Sequence, residues 1–126
     1  MLAASVTGHV ETIAALVSRG ANLDYETKLQ AGTALIVASA AGKLPSIGAL
    51  VRHGANVNYE TRSGLTALIV GSAKGQTKAV AALVERGAQI DYENRAGQTA
   101  LIVASEKGVV HGIYALAMCG CDVDYE

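Results

Sequence analysis

The chain is 126 residues long, 51% hydrophobic and 17% charged, which is enough for one domain with a continuous core and argues against intrinsic disorder. A formal net charge of −1 provides no global attraction to nucleic acid or to an anionic membrane, and no apolar run is long enough to span a bilayer. Cys119 and Cys121 are too close in sequence to staple a framework, so the core must hold the fold, as expected of a reducing compartment.

In chain order, the opening stretch MLAASVTGHVETIAALV has no basic leader and is interrupted by Glu11. That argues against a secretory signal and for an intracellular protein, cytoplasmic or nuclear. Ile13, Leu16 and Val17, spaced i, i+3, i+4, predict an amphipathic helix ended by Gly20. A turn-rich stretch follows, with Leu23 as inward anchor ahead of Tyr25, Glu26 and Lys28.

TALIVASAAG, Thr33 to Gly42, predicts a short apolar helix with Thr33 as N-cap and Gly42 as stop. Ala and Leu favour that helix but Ile-Val does not, so packing must support it on most sides. A second helix places Ile47, Leu50 and Val51 on one face, with Pro45 near its first turn, where a missing N–H costs least. Val57 then anchors a stretch reading Asn58-Tyr59-Glu60, and Gly64 leads to the next Thr.

The same sentence is spelled again from Thr66, with Val80, Leu83, Val84 and Ile90, and again from Thr99. Tyr25, Tyr59, Tyr92 and Tyr125 are separated by 34, 33 and 33 residues, while Thr33, Thr66 and Thr99 keep intervals of 33. A fixed period of this size marks a solenoid in which each unit touches its neighbours. Units fall at about 1–26 (partial), 27–60, 61–93 and 94–126 within one domain. Met118 and Cys119 stand where the third unit has Glu85 and Arg86, so the last unit ends on an apolar face, as in a segment of a longer array.

The 33-residue period, the phrase GxTALIVAS with its later Gly, the aliphatic second helix and GAxVDYE together resemble the ankyrin repeat over the whole chain. The resemblance implies an all-α solenoid of helix-turn-helix units with hairpin-like fingers, and a concave groove lined by fingers and first helices. It also implies a protein-interaction module binding another protein or an extended peptide. This sequence departs from the family's TPLH: Ala34, Ala67 and Ala100 fill the Pro slot, and Ile36, Ile69 and Ile102 fill the His slot, so apolar packing must replace the His hydrogen bonds.

Slots that vary between units carry the binding expectation. In the family they face the groove, which nominates Leu65 and Gln98 beside the finger glycines, Lys74, Glu106 and Lys107 at the ends of first helices, and Arg95 with them. Ala40, Ala41 and Gly32 form a small-residue counterpart in the early units. Tyr59 and Tyr92 are contact candidates along the fingers, the alternative being that each packs on the neighbouring finger and stiffens the row. Glu26, Glu60, Glu93 and Glu126 with Lys28, Arg62 and Arg95 form a charge ladder. It is read either as pairing from unit to unit or as a basic row that includes Arg95 for an acidic peptide. By resemblance, Asn58 also occupies a slot open to asparaginyl hydroxylation, the other reading being a turn residue.

Other chemistries find no support. His9, His53 and His111 occupy unrelated slots, and His111 lies about 12 Å from Cys119 along a helix, so no metal or other cofactor is expected. GSAKGQT at Gly71–Thr77 resembles a phosphate loop only superficially, since Gln76 stands where Lys is required. No catalytic constellation interrupts the repeat. Self-association, or stacking of further repeats, through the apolar end is the alternative to groove binding.

Overall fold

The computed structural model describes residues 33–120. Expectations resting on Ile13, Leu16, Val17, Leu23, Tyr25, Lys28, Gly32, Cys121, Val123 and Tyr125 lie outside the described residues. Those described form six α-helices and no β-strand: α1 (Ala34–Ala41), α2 (Leu44–Arg52), α3 (Ala67–Ala73), α4 (Thr77–Glu85), α5 (Ala100–Glu106) and α6 (Val110–Met118).

Each first helix begins where its Thr can cap it. The hydroxyls of Thr33, Thr66 and Thr99 accept the amide N–H of Ile36, Ile69 and Ile102 at 3.3, 3.1 and 3.2 Å. Each such bond satisfies a first-turn donor that the helix leaves orphaned. The first helix stops at Gly42, whose φ of 69° lets its N–H and that of Lys43 turn back onto the carbonyls of Ser39 and Ala38. Only glycine adopts that left-handed conformation without a Cβ penalty, and Gly75 and Gly108 repeat it at φ 69° and 67°.

The helices form two layers. In the first, α1 packs on α3 and α3 on α5; in the second, α2 packs on α4 and α4 on α6. Within each unit the layers join as α1–α2, α3–α4 and α5–α6. Leu50, Leu83 and Leu116, one per unit, lie between the layers fully buried, with Leu35, Ile47 and Val80 beside them. Val51, Val57, Val84 and Ile90 pack partly buried against this core, as the i+4 positions and finger anchors were expected to do. Lys78 and Glu85 face outward.

The apolar substitution in the family's His slot works by stacking. Ile36 and Ile69 are each 3% exposed, whereas Ile102, in the last described unit, is 38% exposed. The same residue in the same phrase is buried when a further unit covers it.

Candidate functional site

The fingers are short turns closed by hydrogen bonds across their base. In one, the N–H of Thr61 donates to the Leu65 carbonyl at 2.9 Å; in the next, Asn94 donates to the Gln98 carbonyl, also at 2.9 Å. This places Leu65 and Gln98 immediately before Thr66 and Thr99, at the foot of α3 and α5. Leu65, Gln98, Glu106 and Lys107 then line one concave cavity of about 350 Å³ with Ser63, Gly64, Ile69 and Val103. Its floor is apolar, from Leu65, Ile69 and Val103, and its rim carries one acid and one base. The Gln98 amide spans the mouth toward Glu106 Oε1 at 3.4 Å.

Lys74 and Arg95 are not among the residues lining that cavity. Lys74 is the exposed C-cap of α3. Arg95 belongs to a node that joins the two fingers. Its Nε donates to Glu60 Oε2 at 2.9 Å, its backbone N–H to the same oxygen at 3.0 Å, and its Nη2 to the Thr61 carbonyl. The Tyr92 hydroxyl donates to the other carboxylate oxygen, Glu60 Oε1, at 2.6 Å. The ladder therefore pairs acid with base from one unit to the next at this position, and Tyr92 packs on the neighbouring finger. Tyr59 is half-buried in the preceding finger.

Two polar clamps escaped the sequence reading. Buried Asn94 donates from Nδ2 to the Gly64 carbonyl of the preceding finger at 2.8 Å, while its Oδ1 accepts the N–H groups of Ala96 and Gln98 at 3.0 and 2.9 Å. Thr61, 33 residues earlier, caps its own finger by accepting the Leu65 N–H at 3.1 Å. The signal was present as a hydrogen-bonding residue two positions after each Tyr. Asn58, the hydroxylation candidate, bridges units too: its Oδ1 accepts the Gln89 N–H at 2.9 Å and its Nδ2 donates to the Gly87 carbonyl at 3.4 Å. Gln76, noted for breaking the phosphate-loop pattern, donates to the Ala40 carbonyl at 2.8 Å.

The node is also an electrostatic device. The Tyr92 hydroxyl, then the Arg95 N–H groups and charge, hold the Glu60 carboxyl below the usual carboxylate range, with burial opposing them. The carboxylate in turn pushes the Tyr92 phenol up. A depressed acid contributes stability that is fully present above its unfolded pKa and disappears as pH falls through the folded value. Glu60→Gln is expected to cost about 1 kcal/mol at neutral pH, the difference between hydrogen bonds to a charged and to a neutral acceptor. Thermal unfolding of both proteins from neutral to acid pH checks it: their midpoints must converge below the ordinary glutamate range. A constant gap would remove the charge from the explanation. For Tyr92 the sign reverses, so its contribution disappears as pH rises through the elevated phenol value.

A family model of ankyrin repeats, in three copies, matches residues 1–94. The chain belongs to the ankyrin-repeat family. No curated protein matches it. Beyond the matched residues, α5 and α6 keep the capping Thr, the stop glycine and the buried leucine of the preceding helix pairs, here Thr99, Gly108 and Leu116. Among the described residues of this ankyrin-repeat chain, no group of three His, Cys, Asp or Glu side chains is placed to hold a metal ion. Nor, among them, is any helix long and apolar enough to cross a membrane.

Proposed function

We propose that the groove beside α3 and α5 binds a protein or an extended peptide. Ankyrin repeats are generally protein–protein interaction modules. The observation that carries the reading here is the cavity in which Leu65, Gln98, Glu106 and Lys107 converge over an apolar floor. A bound segment would insert an aliphatic side chain against Leu65, Ile69 and Val103, with Glu106 and Lys107 setting register through charge. Fingers tied together at Glu60 and Asn94 offer a surface that needs little reorganisation. Lys74, Arg95, Tyr59 and Tyr92 would flank the segment rather than hold its anchor. Asn58 hydroxylation belongs to the same proposal and would appear as one added oxygen on the peptide carrying Asn58.

The test is selection of peptides from a displayed random library on the full chain. Leu65→Asp and Lys107→Glu should each weaken selected peptides by about tenfold or more, whereas Lys78→Glu on the opposite layer should not. Equal binding by all four proteins would remove the groove from the mechanism.

A second reading is association of the chain with a second copy of itself. Val110, Tyr114 and Met118, spaced i, i+4, i+8 on α6, are 73%, 59% and 69% exposed. The slot of Tyr114 is held in α2 by Gly48, which lies against Arg86 of the following unit, so the middle of this row is where a stacked copy would pack. Cys119 contributes less than its sequence position suggested, being partly buried against the core. Sedimentation over a concentration series distinguishes the readings: Met118→Glu must abolish association, while Lys107→Glu must leave it intact.

A further inference from the structure

The second-helix layer, which takes no part in the groove, holds two arginines from different units at one point. A Cβ built on Gly48 would stand 3.1 Å from Arg86 Nη2 and 3.5 Å from Arg52 Nη1. Arg52 is the last residue of α2 and Arg86 the C-cap of α4. Each is exposed, and neither forms an ion pair with a described residue. Glu85, next to Arg86 in sequence, exerts its charge on Cys119, on the side of the following unit.

Two guanidinium groups brought together without an acid repel one another. The helix C-terminal dipole favours one cation on each helix but does not account for their convergence. Gly48 is equally unexplained by local structure, since a glycine inside a helix costs about 1 kcal/mol against alanine and needs no left-handed backbone here. The same slot holds Ala81 and Tyr114 in the next two units. Glycine clears a flat floor beneath both side chains.

We propose that Arg52 and Arg86, over Gly48, form a recognition subsite for a phosphorylated side chain of a partner protein. A carboxylate has acceptor sites enough for both forks but only one negative charge, which leaves one of the two cations unbalanced. A phosphomonoester carries a charge of about −1.5 to −2 and three terminal oxygens, which engage two forks at once. Two cations fall short of the four to eight basic residues typical of segments that bind anionic lipid. An open surface of this kind does not enclose inorganic phosphate, so affinity requires flanking peptide contacts.

The experiment uses the full chain with a degenerate phosphoserine peptide pool, the same pool unphosphorylated, inorganic phosphate, and vesicles containing a phosphoinositide. The phosphorylated pool should bind about tenfold or more tightly than its unphosphorylated counterpart, and should shift the side-chain N–H resonances of Arg52 and Arg86. Arg52→Gln and Arg86→Gln should erase the preference. Gly48→Ala should weaken it severalfold by displacing the end of Arg86, while leaving the melting temperature equal or higher, which a purely structural role for the pair does not predict. Leu65→Asp should leave the preference intact, which separates this subsite from the groove. Equal binding of both pools, a preference that survives loss of either arginine, or inorganic phosphate or vesicles binding as tightly as the peptide would each overturn the assignment.

Discussion

Leu83→Ala is expected to lower the unfolding free energy by about 2–5 kcal/mol, the range for emptying a fully buried leucine site. Leu83 has no exposed surface and lies on α4, which packs against both α2 and α6. In a stack whose stability is a sum of unit and interface contributions, a hole in a central unit weakens two interfaces. Leu116→Ala, equally buried but on α6, weakens only one among the described units and should cost less. Denaturant unfolding of the two variants decides the matter. Equal losses would mean that cavity size alone, rather than position in the stack, sets the cost.

Gly112→Ala should cost about 1–3 kcal/mol or more, through overpacking rather than a void. A methyl group at Gly112 would sit inside the contact distance of the Ser72 carbonyl oxygen and 3.4 Å from Ala104 Cβ. The first obstacle is backbone, which cannot rotate aside, so α6 must move away from α3. The expected signature is local: amide protection in α5 and α6 falls while α1 to α4 stay protected. Uniform loss across all six helices would show that the fourth unit does not yield independently. An unchanged midpoint would refute the close approach itself.

The contrast between these two positions shows how much was legible beforehand. Leu83 could be read directly, because the i, i+3, i+4 spacing with Val80 and Val84 marks a buried face and recurs in each unit. Gly112 could not, because its slot holds Ser46 and Ala79 in the other units and nothing nearby requires a glycine. The groove divides in the same way. Leu65, Gln98, Glu106 and Lys107 were legible as varying positions in a repeating phrase, and they line one cavity. Arg95 varied too little in kind to separate binding from bracing, and its guanidinium braces Glu60 across the finger boundary. Asn94 was marked only as a hydrogen-bonding residue two positions after Tyr92, yet it ties one finger to the next.

The period, the all-α class, the caps at Thr33, Thr66 and Thr99 and the stops at Gly42, Gly75 and Gly108 follow from the residues alone. These rest on interactions within a turn or two, so each repetition of the phrase states them again. It takes the stacking of units to bring Glu60 to Tyr92 and Arg95 more than thirty residues away, and Arg86 to Gly48 of the preceding unit. Stacking likewise leaves Ile102 exposed while Ile36 and Ile69, in the same words, are buried. The reason is physical: a repeat encodes its own helices completely, but burial, pairing and close approach belong to the neighbour stacked against it.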